Sequence, residues 1–389
     1  MSESIPLSVP YLNGNEWKYV KECLDTNWVS SAGKFVDLFE QNICKYTGSK
    51  YAVACVNGTA ALHISLILAG VGSGDEVIVP TLTFIAPINT VKYVGAEPIF
   101  MDADKYYNID ISKTIDFINN ETNYKDGYTY NKHSGKRITA IIPVHVFGNP
   151  VNLEPLIAVC QKKNIKVIED ATESLGAYYN RGVLSNKNCG TVGDIGCYSF
   201  NGNKIITTGG GGMIVTDNEY YAERAKYLTT QAKDDEIKYI HKEVGYNYRL
   251  TNVQAAIGVA QLEQIEKFIE IKKRNYEIYK NNLQRIPGLS LGETPEYAEA
   301  NYWFYALKID EQGFGNNSNE VFQHLKGNNI QVRPVWHLNH LQKPFTKNVT
   351  YKIENAYELH KRTLNLPCSI SLSRNDILKI TTLLAEDYD

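Results

Sequence analysis

The sequence predicts an α/β protein, with a large domain built on a mixed, mostly parallel sheet and a smaller C-terminal α/β domain. Three observations predict it. Between about residue 50 and residue 216, short apolar runs alternate with helical patterns. A helix with its own start signal then opens at Thr251, and a second, shorter set of strand and helix patterns follows it. At 389 residues the chain is long enough for one large and one smaller domain with a sizeable core.

Candidate strands of the large domain lie at 51–56, 76–79, 98–102, 139–144, 166–169, 195–200 and 213–216. Helical patterns fill the gaps, among them 59–69 and 153–163. The second carries Leu153, Leu156, Ile157 and Cys160 at the spacing of one buried face. Lys162 and Lys163 sit in its last turn, where the helix dipole favours cations. Thr251-Asn252-Val253-Gln254 reads as a capping box, and Val253, Ala256, Ile257 and Ala260 form the apolar face of the helix it opens. That helix is expected to carry the chain from a large domain at 14–255 into a small domain at 256–389, with residues 1–13 as an arm packing on either. Small-domain strands are expected at 301–309 and 330–335, and helices at 318–326 and 374–384. One segment breaks the rhythm. Residues 119–137 are polar, tyrosine-containing and mildly basic, and read as a long loop or hairpin inserted before a core strand. A solvated excursion and a contact with substrate or a second subunit both remain open for it.

Composition excludes several classes. A formal net charge of -3 leaves no general attraction to nucleic acid or to an anionic membrane. Seven scattered cysteines without a CxxC pair argue against a zinc ribbon or a redox centre. No apolar stretch approaches the roughly 20 residues of a bilayer span. Met1-Ser2-Glu3-Ser4-Ile5-Pro6 lacks the basic-then-apolar pattern of a signal peptide, so the cytoplasm is the expected location.

The chemistry converges on two strand ends. Cys197-Tyr198-Ser199-Phe200 runs out into Asn201-Gly202-Asn203-Lys204, and Gly209, Gly210, Gly211 and Gly212 lead into the next strand. Such a turn holds one amine rigidly inside a cavity. Lys166-Val167-Ile168-Glu169-Asp170 ends a second strand on a carboxylate. A lysine and an aspartate so placed are what pyridoxal phosphate (PLP) requires: Lys204 forms the Schiff base, and Asp170 keeps the pyridine nitrogen protonated so that the ring acts as an electron sink. Gly58 and Thr59 open a helix after a strand and can offer N–H groups to an anion. Alone they read as an ordinary cap; beside Lys204 and Asp170 they read as a phosphate site. Ser199 can add a hydroxyl to that phosphate, or simply bond the backbone. Phe84 can stack on a cofactor ring or sit in the core. Glu173 can reach the cofactor's O3′ or lie at the surface, and His145 is either a buried core histidine or a substrate contact. Asn247 and Arg249, in Gly245-Tyr246-Asn247-Tyr248-Arg249, suit a phosphate contact across a subunit boundary, and Arg333 suits a carboxylate or phosphate. For each arginine a surface ion pair is the alternative. A dinucleotide fingerprint is excluded, because the glycine run at 209–212 leads into a strand and not into a helix.

The ordered set of motifs resembles the DegT/DnrJ/EryC1/StrS nucleotide-sugar aminotransferases, of the aspartate aminotransferase fold (PLP fold type I). The stretches that carry the resemblance are Asn57-Gly58-Thr59-Ala60-Ala61-Leu62-His63, Gly74-Asp75-Glu76-Val77-Ile78-Val79-Pro80, Glu169-Asp170-Ala171-Thr172-Glu173-Ser174-Leu175-Gly176, Ser199-Phe200-Asn201-Gly202-Asn203-Lys204 and Gly245-Tyr246-Asn247-Tyr248-Arg249-Leu250-Thr251-Asn252. The resemblance implies that Lys204 is the Schiff-base lysine, that Asp170 pairs with the pyridine nitrogen, and that Glu173 lies near O3′. It implies that Phe84 stacks on the ring and that Gly58, Thr59 and Ser199 hold the phosphate. Asn247 matches a phosphate contact from a partner subunit, which implies a homodimer with a shared site. Branches of the family that dehydrate replace the lysine with histidine; this chain keeps Lys204, which argues for transfer. The resemblance further implies L-glutamate as donor, a nucleotide-linked 4-keto sugar as acceptor, and Lys204 as the general base of a ping-pong reaction. Tyr227-Leu228-Thr229-Thr230-Gln231-Ala232-Lys233, Asn301-Tyr302-Trp303-Phe304-Tyr305 and the 119–137 segment look like the legionaminic acid and bacillosamine members. Those members aminate C4 of UDP-4-keto-6-deoxy-N-acetylglucosamine. A GDP-perosamine-type enzyme acting on GDP-4-keto-6-deoxymannose is the alternative. A non-catalytic PLP-binding regulator is the alternative of a different class. Glu173 stands where many members carry Gln.

Overall fold

A computed structural model describes residues 4–235 and 237–386. In the large lobe the chain runs α1 (Glu16–Asp25), α2 (Lys34–Thr47), β1 (Tyr51–Cys55), α3 (Gly58–Leu68), β2 (Glu76–Pro80), α4 (Ala86–Tyr93), β3 (Glu97–Met101) and α5 (Ile111–Asn120). It continues through β4 (Thr122–Lys125), β5 (Tyr128–Asn131), β6 (Arg137–Ile141), α6 (Leu153–Lys162), β7 (Lys166–Asp170), β8 (Tyr178–Tyr179), β9 (Ile195–Ser199), β10 (Gly212–Thr216), α7 (Glu219–Thr229) and α8 (Asn252–Leu262). The long α9 (Ile265–Leu283) leads on to β11 (Leu289–Leu291), β12 (Ala298–Glu299), β13 (Tyr305–Ile309), α10 (Glu311–Phe314), α11 (Ser318–Gly327) and β14 (Arg333–Pro334). The last elements are β15 (Thr350–Tyr351), α12 (Asn355–Arg362), β16 (Thr363–Leu366) and α13 (Arg374–Glu386).

The central sheet has the order β1-β10-β9-β7-β6-β2-β3-β15. Its β1–β10 and β10–β9 pairs are antiparallel and the other pairs along this order are parallel. This is the mixed, mostly parallel sheet that the alternating pattern predicts. Its middle strands read as continuous apolar runs because helices cover both faces; β2 and β10 are buried along their whole length. One core under α2, α6 and α8 and a second under α3 and α4 lie on the two faces. A third core belongs to the small lobe, where β11-β13-β16-β14 form an antiparallel sheet.

Element ends differ from the sequence reading where tertiary contacts decide them. The strand expected at 301–309 begins only at Tyr305, since Tyr302 takes a positive φ of 56°. The strand expected at 330–335 shrinks to Arg333–Pro334, whose proline has no N–H for a ladder. The 119–137 segment is a hairpin: β4 and β5 pair around Asp126-Gly127, both at positive φ, and β5 joins the start of β6. The capping box forms as predicted, with Thr251 accepting from the Gln254 N–H. The boundary expected after residue 255 falls inside α8, which packs without a break on α1 and α2. β15 returns to pair with β3 of the central sheet. The N-terminal arm touches both lobes: Ile5 bridges Ile330, and the Tyr11 carbonyl accepts from Gln261 of α8. Among the described residues no helix is long and apolar enough to cross a membrane.

Candidate active site

Parallel strands β7 and β9 are neighbours, with Asp170 level with Cys197 in their register. Asp170 therefore ends β7 beside the end of β9, where Ser199 sits, at the carboxyl edge at which parallel sheets bind ligands. The chain then makes a closed excursion. Phe200 receives the Thr208 N–H on its carbonyl and donates its own N–H to Gly211, so both ends of the turn carrying Lys204 are fixed. Within it, the Lys204 N–H donates to the Asn201 carbonyl.

Helix α3 starts against these strands. Asn57 caps it, accepting the Ala60 N–H on its side chain at 2.7 Å. A Cβ on Gly58 would stand 2.9 Å from the Ser199 Cβ and 3.1 Å from the Thr172 Cγ2, so only glycine brings the helix start this close to β9. Gly212 is held to glycine for the same reason, because its Cβ would fall 2.4 Å from the Asn57 backbone.

The result is a cavity of about 360 Å³ lined by Gly58, Thr59, Phe84, Asp170, Glu173, Ser199 and Lys204. Seven of the eleven residues singled out from sequence thus share one wall-to-wall site. Asp170 is 2% exposed, and its carboxylate accepts the Thr172 N–H at 3.1 Å. Burial pushes this carboxyl above the ordinary aspartate range, against the pull of Lys204. Glu173 accepts the Phe147 N–H at 2.8 Å, and burial raises its carboxyl to about 7. Lys204 Nζ lies 3.7 Å from Glu173 Oε1. Burial lowers the affinity of this amine for its proton, while Glu173 and Asp170 oppose that. A buried amine with reduced proton affinity is suited to act as nucleophile and base. Phe84 is 53% exposed, offering a bare aromatic face to the cavity in place of a core contact.

The other four residues lie elsewhere. His145 is a correction to the expected substrate contact. It is fully buried: the Val151 N–H donates into Nδ1 at 3.0 Å, which leaves the Nε2 proton for Glu169, 2.9 Å away. Glu169 also collects the N–H groups of Gly190, Val192 and Gly193. The pair braces the strand end, and the His145 N–H supports the Asp170 carbonyl. Asn247 is exposed on the connection between α7 and α8, bridged to Thr230. Arg249 lines a separate hollow with Lys226 and Thr230. Arg333 is exposed, and it bonds the neighbouring Val332 carbonyl. None of the four lines the cavity.

Sequence reasoning missed the far wall, which is made by Trp303, Phe304 and Trp336. Trp303 stacks on Phe304, and Trp336 on Phe147. The signal for Trp303 was present in Asn301-Tyr302-Trp303-Phe304-Tyr305, but only the fold brings that run to Lys204. Asn57 and Thr172 were also missed; the first is visible as an N-cap before Gly58.

The residues present fit PLP. Beyond Asn57, whose side chain takes the third N–H of the helix, Gly58 and Thr59 open α3 beside the Ser199 hydroxyl and form an anion cradle. A buried carboxylate and a buried amine stand further into the same cavity.

Comparison with known proteins agrees with this geometry. The model of the DegT/DnrJ/EryC1/StrS aminotransferase family matches residues 10–385. The chain is 38% identical to the GDP-perosamine synthase of Caulobacter vibrioides, over 98% of this chain and 97% of that protein. It is 36% identical to the GDP-perosamine synthase of Escherichia coli O157:H7, over 99% of this chain and 98% of that one. In structure it is similar to a DegT DnrJ EryC1 StrS aminotransferase from Brucella abortus, with a TM-score of 0.85 and 25% identity, covering 96% of this chain and 95% of that chain.

Proposed function

The chain belongs to the DegT/DnrJ/EryC1/StrS aminotransferase family, and from that premise we propose that it moves the amino group of L-glutamate to C4 of GDP-4-keto-6-deoxymannose, forming GDP-perosamine. It is a PLP-dependent sugar aminotransferase; the acceptor is the part proposed. The observation that carries the acceptor is the end-to-end similarity to two proteins named GDP-perosamine synthase. Sequence phrases favoured the UDP-linked N-acetyl sugar, and the relatives support the GDP alternative better.

Bound in the cavity, PLP supplies an electron sink for the charge that develops when an amino-acid Cα proton leaves. The chain supplies the rest. The Gly58 and Thr59 N–H groups with the Ser199 hydroxyl hold the phosphate at the start of α3. The Asp170 carboxylate would pair with the pyridine nitrogen and keep it protonated, and Phe84 would cover one face of the ring. Lys204 Nζ takes the Cα proton of glutamate and, in the second half of the cycle, delivers a proton to C4 of the sugar product. Glu173 attracts the amine from 3.7 Å without a direct hydrogen bond. Trp303, Phe304 and Trp336 close the far side against water. Asn247 and Arg249, outside their own cavity, serve the phosphate and substrate of a second copy, so the working unit is a homodimer. Arg333, exposed and three residues before the cavity-lining Trp336, is proposed to meet a negative group of the substrate.

The test starts from protein converted by glutamate to its amino form. GDP-4-keto-6-deoxymannose or UDP-4-keto-6-deoxy-N-acetylglucosamine is added, and the return of the yellow cofactor band is followed. Recovery with the GDP sugar supports the proposal. Recovery with the UDP sugar alone moves the enzyme to N-acetylated aminosugar synthesis, and silence with both, in protein that glutamate does convert, means another keto sugar.

A further inference from the structure

The reactive amine has a second neighbour besides Glu173. Lys204 Nζ stands 4.0 Å from the centroid of the Trp303 ring. That ring is 2% exposed and tightly placed. Its indole N–H donates at 2.7 Å to the carbonyl of Asn203, the residue just before Lys204. Its backbone is held from both sides: the Trp303 N–H donates to Asn301 Oδ1 at 3.0 Å, and Lys272 Nζ donates to the Trp303 carbonyl at 3.1 Å. Asn301 also donates to the carbonyls of Glu173 and Leu175, at 2.8 and 3.0 Å. One amide thus ties together the two groups that flank the amine. Lys272 is itself unusual. It is 3% exposed, and its two hydrogen-bond acceptors, Trp303 and Cys368, are backbone carbonyls and not carboxylates. A lysine buried among carbonyls is costly to keep, which marks the position it secures as one that matters.

We propose that the face of Trp303 is the resting surface for the ammonium form of Lys204 whenever that amine is not bonded to the cofactor, with Lys272 and Asn301 as the positioning residues that hold the ring there. The inference rests on Lys204 being the reactive amine, as in the reading above, and not on which sugar is used. The physical case is one of graded attraction. A carboxylate in direct contact would lock the ammonium in a charge-assisted hydrogen bond, whereas Glu173 stands back at 3.7 Å. An aromatic face attracts the cation without accepting a directed hydrogen bond, so the amine is retained but free to swing back. The surface comes from the 301–304 segment that follows β12; β12 pairs with β8, and Trp303 packs into the same core as α3 and α4.

The test uses neither cofactor nor sugar. Cofactor-free protein is trace-acetylated with acetic anhydride across a pH series, and the labelling of the Lys204 peptide is read by mass spectrometry against a reference amine. Fluorinated tryptophans keep the ring's shape and weaken its negative face, so they should lower the Lys204 midpoint stepwise, by about one pH unit in all. Trp303→Leu should lower it at least as far and Trp303→Phe by less. Lys272→Met should lower it too, which a merely structural lysine would not. An Lys204 midpoint unmoved by fluorination, or equal in Trp303→Leu and the parent protein, overturns the proposal. Should Lys204 prove not to carry the cofactor, reductive labelling of the holoenzyme reports that separately.

Discussion

Substituting Gly58 by alanine tests the cradle most sharply. The added Cβ would meet the Ser199 Cβ at 2.9 Å and the Thr172 Cγ2 at 3.1 Å. Ordinary carbon–carbon contact begins near 3.5 Å, so the start of α3 must retreat from β9 by roughly half an ångström. Neither neighbour is the far end of a long side chain that could swing away. The retreat carries the Gly58 and Thr59 N–H groups away from the Ser199 hydroxyl, and a phosphate can no longer be held by all three. Relieving an overpacked contact costs about 1–3 kcal/mol, and a weakened hydrogen bond to a charged group costs a similar amount. A loss of ~2–3 kcal/mol in cofactor binding corresponds to about 30- to 150-fold in affinity. The assay is titration of cofactor-free protein with PLP, followed by the yellow band. Gly72→Ala is the control, because a Cβ there has no neighbour within 4 Å. Gly58→Ala binding PLP within about threefold of the parent protein would refute the argument that the phosphate sits at the start of α3.

Asp170→Asn keeps the shape and the Thr172 contact while removing the charge; cofactor should still bind, and single-turnover conversion with glutamate should slow about 100-fold or more. Burial raises the Glu173 carboxyl from its ordinary 4.5 to about 7. A carboxyl raised in the folded state binds its proton more tightly there than in the unfolded chain, so stability falls as pH rises from 4.5 to about 7. Glu173→Gln cannot titrate, and urea midpoints across that window should lose up to about 1.4 kcal/mol per pH unit of slope. His145→Ala leaves Glu169 short of a donor and the Val151 N–H without its acceptor, so urea melts should show a loss of about 3 kcal/mol or more while turnover per folded molecule changes little.

What could be read from the chain follows from where the information lies. Asp170, Ser199 and Gly58 each end or begin a regular element, Lys204 sits in the turn that follows β9, and in a parallel sheet such ends gather at one edge; the alternating pattern therefore located the site before any contact was known. The capping box at Thr251 is local and was equally visible. His145 was not, because whether an imidazole at a strand end faces a cavity or a neighbouring carboxylate is decided by Glu169 and Val151, far from it in sequence. The far wall was hidden for the same reason: Trp303 and Trp336 lie about a hundred residues and more beyond Lys204. That α1 and α2 cover the apolar face of α8 was not legible either, because both lie far upstream of it in sequence. The 119–137 hairpin carried a readable signal, the Asp126-Gly127 pair, which favours the positive φ angles of a two-residue turn.

Reduction of the PLP-loaded protein with borohydride, followed by peptide mass spectrometry, tests the role of Lys204 most directly. The cofactor should be fixed on Lys204 and on no other lysine, including the more deeply buried Lys272. Label on a different lysine, or yellow protein that yields no labelled peptide, would contradict that role.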